Sequence, residues 1–327
     1  MLLAVVAGLY SYGLSGPLIF DDGPALASNS YLNIDGKTLD EWRTASLSSS
    51  SGPFRRPVAM LSFAGNHVAS GGISAFSIKA INLLIHLVCG CLVYFFALAV
   101  FRHEVLGLKP EQIGRLAILV TAFWLLAPLH VSTVLYAVQR MAQLSTLFSL
   151  AGLLLFIVRR ERWAQYGAST GELISTSLWL MLLYLLAILS KENGIALIWL
   201  LTVVEVSLFR GQWGGQKIAW LQRLGWLAFF LPLILVGAIL LLAPGYLIGG
   251  YVQRDFSLEE RLLTQLRLLW RYVSWMALPN ISSMGFQHDD IAVSRSLLAP
   301  LTTSMAAAGW VVVMLAAFIL RHKFPLL

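Results

Sequence analysis

Long apolar runs recur along this chain of 327 residues and restrict its fold more than any other feature. Residues 83–101 read LLIHLVCGCLVYFFALAVF, and comparable runs occupy 141–158 and 224–243. About 20 apolar residues in a helix cross the hydrocarbon core of a bilayer, and backbone groups inside lipid must be satisfied within the segment itself. Only 12% of the residues are charged, against about 25% in an ordinary soluble domain. The sequence therefore predicts an all-α fold, a polytopic transmembrane helical bundle.

The apolar runs divide into about eight expected spans, with further helices in juxtamembrane or interfacial positions. The N-terminal run lacks a basic leading region and a clear small-residue cleavage site, so we expect an uncleaved first span. Residues 20–76 and 244–298 are expected to form two extracytoplasmic loops of a single transmembrane domain covering 1–327. The spans are expected at 1–19, 77–101, 116–127, 141–158, 174–189, 194–209, 218–243 and 299–320.

The net charge is +7, and 11 of the 23 Lys and Arg residues lie in three short loops between apolar runs and in the C-terminal tail. The positive-inside rule places such loops on the cytoplasmic side of a membrane. This distribution favours membrane orientation over a nucleic-acid surface, so no nucleic-acid partner is expected. The residues concerned are Arg102, Lys109, Arg115, Arg159, Arg160, Arg162, Arg210, Lys217, Arg223, Arg321 and Lys323.

One segment, LLTQLRLLWRYVSWMAL at 262–278, is long enough to span but carries Arg267 and Arg271. These two residues are four apart and share one face of a helix, while the opposite face carries Leu and Trp. We expect an amphipathic helix lying at the outer interface. The alternative, that it spans, would invert the last span and put the basic tail outside, which the positive-inside rule disfavours.

Polar residues gather where the expected spans meet the outer face. Each has an ordinary explanation when taken alone, as a solvated turn, a helix cap or a side chain that reaches lipid headgroups. Charges at the edge of a membrane are costly unless they are paired or functional, so their convergence on one face predicts a site. They are Asp21 and Asp22, Arg55 and Arg56, His130, Gln139 and Arg140, Lys191 and Glu192, and His288, Asp289 and Asp290.

Carboxylates beside cations at this depth fit one kind of chemistry well. A carboxylate can act as general base toward an acceptor hydroxyl. Arginine and lysine can hold a phosphate and stabilise its charge as it leaves. A lipid phosphate lies at this level with its chain in the bilayer, so we expect a lipid-linked phosphate substrate.

The order of several short motifs resembles a known family. The chain reads IFDDGPALASN near residue 20, then FRRPVAMLSFAGNH, then PLHVSTVLYAVQRMAQL, then LSKENGIALIW, and finally LRLLWRYVSWMALPNI followed by FQHDD. This series resembles bacterial relatives of the transmembrane and tetratricopeptide-repeat O-mannosyltransferases, which belong to the GT-C superfamily of membrane glycosyltransferases. The resemblance runs from about residue 17 to residue 320.

The resemblance implies a GT-C type bundle with a polyprenyl-phosphate-linked sugar as donor and a protein Ser/Thr or glycan as acceptor. It implies an active site on the periplasmic face of a bacterial inner membrane, with inversion at the anomeric carbon. Asp21 occupies the position of the general base, with Asp22 beside it, and Arg56, Arg140 and Lys191 are assigned to the lipid phosphate. Some GT-C enzymes bind a divalent metal at such acids and others do not, so a metal is left open.

Chains of this family continue with further spans and a repeat domain, whereas this one ends soon after the run at 299–320. On the resemblance, acceptor recognition is expected to reside in that further part. Two other functions stay open at this point. One is a transporter or flippase of lipid-linked sugar, which would need ionisable residues along a pathway at mid-span. The other is a non-catalytic protein that binds a partner in the membrane.

Overall fold

The computed structural model describes residues 1–242, 245, 249–251, 254–285 and 291–320. It is 76% helical with almost no strand, which confirms the predicted all-α polytopic bundle. Two of the predicted site residues, His288 and Asp289, lie outside the described residues together with Asp290.

Twelve helices make up most of the described chain. They are α1 (Leu2–Ser11), α2 (Leu39–Ser46), α3 (Pro57–Ser70), α4 (Ala75–Arg102), α5 (Pro110–Leu125), α6 (Leu129–Val134), α7 (Arg140–Tyr166), α8 (Thr170–Ser190), α9 (Ala196–Val204), α10 (Ala219–Leu242), α11 (Leu258–Ala277) and α12 (Thr302–Leu320). Strands β1 (Gln212–Trp213) and β2 (Gln216–Lys217) form a small antiparallel pair. Short 3₁₀ segments include Ala137–Gln139 before α7 and Glu192–Ile195 before α9, and Glu205–Phe209 continues α9 as a π-helical turn.

Among the described residues, six helices are long and apolar enough to cross a membrane. They are Ala75–Arg102, Ala137–Tyr166, Thr170–Ser190, Glu192–Phe209, Ala219–Leu242 and Thr302–Leu320. These match six of the eight expected spans.

The other two expected spans are shorter helices. Helix α1 has 10 residues and ends at Ser11, because Gly13, Gly16 and Pro17 disfavour helix in the residues that follow. Helix α5 has 16 residues. Its first residue is Pro110, which favours a helix start, and Pro128 lies three residues beyond its end.

The chain divides into two compact units, Met1–Gln222 and Arg223–Leu327, and the boundary falls within α10. The expected single domain over 1–327 stays a prediction. In the first unit α4 and α7 form the centre, with α5 packed on α4, α8 and α9 packed on α7, and α3 on α8. The first unit contains every predicted site residue that the structure describes.

The expected loop 20–76 is largely folded. Helix α2 packs on α3, and apolar side chains including Leu26, Leu32 and Met60 are buried beneath them. The Thr38 hydroxyl caps α2 by accepting a hydrogen bond from the Glu41 amide at 3.3 Å. This segment therefore forms a packed helical layer that carries Asp21, Asp22 and Arg56.

The second unit contains α11 and α12, which pack against each other. Helix α11 covers the segment predicted to be amphipathic, and it is not among the six candidate spans. It begins with a capping box in which the Ser257 hydroxyl and the Glu260 carboxylate each bond to the other residue's amide. Its location at the membrane interface stays a prediction.

Candidate functional site

The adjacent acids Asp21 and Asp22 lie in different environments. The Asp22 side chain is fully buried, and its carboxylate accepts hydrogen bonds from the amides of Val138 (2.7 Å), Ile19 (3.1 Å) and Ala137 (3.3 Å). Burial raises the pKa of Asp22 above its ordinary value, and these three amide bonds oppose the rise. Asp22 thus fastens the chain after α1 to the turn that precedes α7.

Asp21, in contrast, is exposed. Its amide donates a hydrogen bond to the Tyr136 hydroxyl at 3.1 Å, and the Tyr136 ring lies edge-on to Phe20. Burial and the neighbouring Asp21 charge raise the pKa of Tyr136, so the phenol stays protonated at neutral pH. Phe20 has a φ of 46°, an uncommon value for a residue with a side chain. The Asp21 carboxylate is therefore accessible, beside a neutral phenol, on a strained turn.

The turn at 137–139 connects the acids to the next junction. Directly after the two residues that bind Asp22, the Gln139 side-chain oxygen accepts a hydrogen bond from the Lys191 ammonium at 3.2 Å. Lys191 follows the last residue of α8. Burial and, to a smaller extent, the Arg56 charge lower the pKa of Lys191, and Glu192 opposes them. The lysine is thus a partly desolvated cation with a cationic neighbour.

Arg56 and Glu192 form an ion pair that brings two further junctions together. The Arg56 Nη2 to Glu192 Oε2 distance is 2.9 Å, and Nε lies 3.2 and 3.1 Å from the two carboxylate oxygens. The arginine side chain is 18% exposed and the glutamate side chain 28% exposed, so solvent reaches both. The third guanidinium nitrogen, Nη1, contacts the Met141 sulfur at 3.3 Å. This is a half-open pair that an incoming anion could reach.

Backbone strain marks the arginine pair. Arg55 and Arg56 both have positive φ values, 55° and 49°, and Pro57 then begins α3. Left-handed conformations cost residues with a side chain about 1 kcal/mol or more, and they persist where the surroundings impose them. Arg55 stays exposed, with a 3.5 Å contact from Nη1 to the Leu47 carbonyl, while Arg56 turns inward to Glu192.

Gly52 lies directly against the Glu192 carboxylate. Its φ is 76°, and a Cβ built on it would overlap the carboxylate oxygen Oε1. Glycine is favoured here by its backbone conformation, and a side chain at this position would displace the Glu192 carboxylate. Gly194 is similar, because a Cβ there would overlap the backbone of Ala187 at the end of α8. The two glycines hold the turn that carries Lys191 and Glu192.

Arg140 was predicted as a phosphate ligand, but its surroundings favour a role in holding helices together. Its side chain is fully buried. Nε donates to Asn82 Oδ1 (2.8 Å), Nη2 to Asn66 Oδ1 (2.7 Å) and the Ile78 carbonyl (2.9 Å), and Nη1 to the Ser62 carbonyl (3.0 Å). Four hydrogen bonds thus occupy most of a group that has five donors. Its direct contact with a lipid phosphate stays a prediction.

His130 lies among aromatic rings, not among the cations. Its ring is 4.5 Å from the Trp124 ring and 5.2 Å from the His86 ring, measured between centroids. Burial, and secondarily His86, lower the pKa of His130 to about 4. The imidazole is therefore neutral at pH 7, and any contact with substrate would be that of an uncharged hydrogen-bonding group.

Some residues of this region were not predicted from the sequence. Lys79 is 3% exposed, donates to the carbonyls of Gly16 (2.8 Å) and Pro17 (2.9 Å), and opposes the rise in the Asp22 pKa. The Tyr136 hydroxyl accepts the hydrogen bond of the Asp21 amide. Lys79 could have been found from the sequence, because a lysine at the edge of an apolar run needs a partner. Nothing in the sequence distinguished Tyr136 from other tyrosines.

The site residues that the contacts connect are Asp21, Asp22, Arg56, Gln139, Lys191 and Glu192, and we name them the junction cluster. The cluster joins four junctions that are far apart in the sequence. It contains one accessible carboxylate and two cations, linked through the backbone of residues 136–139. These are the residue types that a general base and an anionic leaving group require. In the described part of the chain, no three His, Cys, Asp or Glu side chains converge as metal ligands.

Comparison with known proteins gives a distant similarity. The chain is 26% identical over 207 residues to the Protein O-mannosyl-transferase TMTC4 of Mus musculus, and 26% identical over 215 residues to that of Homo sapiens. These matches cover 60% and 62% of this chain, and the chain spans 28% of the length of each relative. No protein-family profile and no solved structure matches the chain. The similarity supports a distant relationship to these protein O-mannosyl-transferases.

Proposed function

We propose that this chain is a membrane glycosyltransferase of GT-C type. In this proposal it moves a sugar from a polyprenyl-phosphate-linked donor to an acceptor hydroxyl of a protein Ser/Thr or a glycan. The reaction takes place on the extracytoplasmic side of a bacterial inner membrane. The observation that carries the proposal is the junction cluster, in which an exposed carboxylate and two partly buried cations come from three separate junctions between helices, and Gln139 comes from a fourth.

Asp21 is the general base of the proposed reaction. The acceptor oxygen attacks the anomeric carbon and forms the new glycosidic bond, the bond from that carbon to the phosphate oxygen breaks, and the proton of the hydroxyl passes to Asp21. The electron pair of the broken bond stays on the lipid phosphate. A single displacement of this kind inverts the anomeric carbon. Asp21 is the better candidate of the two acids because it is exposed, whereas Asp22 is buried under three amide hydrogen bonds.

The lipid phosphate is held by Arg56 and Lys191. A guanidinium fork binds two oxygens of a phosphate, and the lysine adds a compact charge that stabilises the leaving group. Glu192 occupies Arg56 in this structure through a bidentate ion pair. In the proposal the phosphate exchanges with the Glu192 carboxylate or shares the guanidinium with it. The lowered pKa of Lys191 means that part of its desolvation cost has been met before the donor binds.

Asp22 and Arg140 act as positioning residues in this account. Asp22 ties the segment carrying Asp21 to the amides of residues 137 and 138, which directly precede the Gln139 partner of Lys191. Arg140 ties α7 to α3 and α4. Catalytic groups need support that fixes them within a fraction of an ångström, so substitutions here would reduce the rate without touching substrate.

The sequence similarity supports the class of reaction. The two relatives are named protein O-mannosyl-transferases, and on that basis we propose a hydroxyl acceptor on a protein, with a glycan acceptor as the alternative. The chain spans only 28% of the length of these relatives, so a substrate shared with them is part of the proposal.

A reconstituted transfer assay tests the proposal. The chain in liposomes is supplied with polyprenyl-phosphate-linked sugars and with Ser/Thr peptides or glycans, and sugar transfer is followed by mass spectrometry. We expect transfer that Asp21→Asn abolishes. The matched control is Asp35→Asn, which removes an exposed acid that pairs with Lys37 in the same folded segment. Asp35→Asn should transfer at the parental rate.

The same liposomes distinguish the other two functions. Movement of the lipid-linked sugar across the bilayer without transfer would replace the proposal by a flippase. Donor binding without either transfer or movement would replace it by a non-catalytic binding protein.

A further inference from the structure

A crevice of about 530 Å³ lies between α11 and α12 in the second unit. Arg267, Trp270 and Arg271 line it from α11, and Met305, Ala306 and Gly309 line it from α12. None of these residues belongs to the junction cluster. The crevice combines two guanidinium groups with an otherwise largely apolar wall, which is the chemistry of an amphiphilic anion site.

Two indole hydrogen bonds fix the walls of the crevice. Trp270 Nε1 donates to the Ala306 carbonyl at 3.0 Å, and Trp310 Nε1 donates in return to the Leu266 carbonyl at 3.0 Å. The centroids of the Trp270 and Trp310 rings are 4.6 Å apart. Gly309 allows this approach, since a Cβ there would be 2.9 Å from Trp270. The crevice is therefore a preformed feature, and a ligand would not have to order it.

The two arginines lie one helical turn apart and face the same crevice. Arg267 donates from Nη1 to the Ala292 carbonyl (2.8 Å) and to the Ser294 hydroxyl (3.3 Å). Both hydrogen bonds use Nη1, so they orient the Arg267 guanidinium. Its Nε and Nη2 atoms make no hydrogen bond to the described residues. The Arg271 guanidinium lies over the Trp275 ring at 5.2 Å. A pair of oriented forks at this spacing suits a phosphate group.

The surroundings of the crevice point to a bilayer lipid. Helix α12 is a candidate membrane span with only 6% of its apolar window buried inside the structure, whereas α11 is amphipathic and is not a candidate span. The crevice thus opens where an interfacial type of helix meets a span. Binding increases with the concentration of a ligand, so an anion site beside a candidate span favours a phospholipid of the surrounding bilayer as its occupant.

We propose that this crevice binds one anionic phospholipid of the surrounding bilayer. Its phosphate lies against the guanidinium groups of Arg267 and Arg271, and its glycerol and first methylene groups lie along Met305 and Ala306. The bound lipid stabilises the pairing of α11 with α12. This inference does not depend on the proposed transferase activity, because it uses residues of the second unit alone.

Lipid retention measured by native mass spectrometry tests the proposal. The full chain is reconstituted in vesicles of phosphatidylcholine and phosphatidylglycerol in equal amounts, extracted gently, and the retained lipids are counted. We expect preferential retention of one phosphatidylglycerol. Arg271→Gln should lower that preference about fivefold, and the double variant Arg267→Gln/Arg271→Gln about 25-fold, from about 1 kcal/mol for each arginine near an anionic surface.

Arg261→Gln is the matched control, because Arg261 is on the same helix but donates to the Tyr251 hydroxyl at 3.1 Å outside the crevice. It should change the preference less than twofold. Arg271→Gln keeps the Arg267 hydrogen bonds, so it tests the site even if the double variant does not fold. Equal retention of the two phospholipids, or a loss with Arg261→Gln as large as with Arg271→Gln, would overturn the proposal. Displacement of phosphatidylglycerol by equimolar polyprenyl phosphate, or by inorganic phosphate alone, would also overturn it.

Discussion

Two arginine–glutamate pairs lie at the two ends of one membrane span in the first unit, and they differ in their access to solvent. Arg56–Glu192 is at the start of Glu192–Phe209, and its side chains are 18% and 28% exposed. Arg160–Glu205 is 13 residues further along, or about 20 Å in a helix, and its side chains are 3% and 14% exposed. We name them the open pair and the sealed pair.

The sealed pair has the geometry of a structural element. Its two parallel hydrogen bonds measure 2.7 and 2.8 Å, and the Arg160 guanidinium also lies over the rings of Phe209 (4.9 Å) and Trp213 (5.7 Å). The open pair instead has a second cation, Lys191, beside it and a solvent-accessible face. The same two residue types can therefore fix the end of a helix when they are buried, or leave an arginine accessible to another anion when they are partly exposed.

Breaking the sealed pair should have the largest effect on stability. Glu205→Ala leaves a buried guanidinium without its carboxylate, which costs about 3–5 kcal/mol. Glu192→Ala leaves Arg56 in contact with solvent and should cost about 1 kcal/mol or less. Thermal unfolding of the purified variants in the same detergent gives both numbers. Equal losses for the two glutamates would remove the distinction between the pairs.

For donor binding, substitution of the arginine in the open pair should have a larger effect than substitution of the arginine in the sealed pair. Arg56→Gln removes a charged partner of the proposed phosphate and should weaken donor binding about 10- to 100-fold. Arg160→Gln should reduce the amount of folded protein but leave the affinity of the folded fraction unchanged. Binding of a labelled polyprenyl-phosphate sugar to folded protein measures this, and an unchanged affinity in Arg56→Gln would contradict the phosphate assignment.

The open pair also predicts a pH dependence. The folded-state pKa of Lys191 lies below its ordinary value of 10.5 because burial and Arg56 disfavour its charge. Donor binding should therefore be complete below that lowered pKa and decline as pH rises through it, at a lower pH than for an ordinary lysine. Lys191→Arg should move the decline to higher pH, since a guanidinium stays charged. A decline that does not move with this substitution would assign it to another group.

The linkage to stability has the opposite sign. A lysine whose pKa is lower in the folded state than in the unfolded state destabilises the fold while it is charged. This destabilisation is present at neutral pH. It is lost as pH rises from the lowered pKa of the folded state to the ordinary pKa of the unfolded state. Binding and stability thus respond to Lys191 in opposite directions, and comparing the two titrations separates a binding role from a structural one.

The smallest expected effect on donor affinity comes from Gly52→Ala. The new Cβ would overlap the Glu192 carboxylate and force a residue with a side chain into φ of 76°. We expect a loss of about 1–2 kcal/mol in stability and a modest change in donor affinity as Glu192 shifts from Arg56. The control is Gly71→Ala, where φ is 67° but no atom lies within 4 Å of the added Cβ. Equal donor affinities in the two variants would show that contact with Glu192 has no bearing on the open pair.

The fold was most predictable from the long apolar runs of the sequence. Apolar runs of membrane length predicted the all-α polytopic fold, and six of the expected spans are helices of sufficient length and hydropathy. For 1–19 and 116–127 the structure has the shorter helices α1, of 10 residues, and α5, of 16 residues, and their crossing of the membrane stays a prediction. An average over an apolar window does not register the Gly and Pro residues that follow α1.

The site was partly predictable for a related reason. The junctions could be located from the ends of the apolar runs, but the partner of each polar residue depends on contacts across the fold. Asp21 and Asp22 are adjacent in sequence, and only the amides of residues 137 and 138 distinguish them. Arg140 has the same residue type and the same expected depth as Arg56, yet Asn66 and Asn82 surround it with acceptors. Arg160 was expected in a short loop, but it lies in α7, and its position in the sequence gave no sign of its partner Glu205.

The most direct test of the account is the rate of sugar transfer by Asp21→Asn relative to Asp35→Asn, measured on folded protein with donor bound. If Asp21 is the general base, Asp21→Asn should lower the transfer rate about 10²- to 10⁴-fold. Its donor affinity and unfolding temperature should stay at their parental values. A parental transfer rate in Asp21→Asn would contradict the assignment of the junction cluster as an active site.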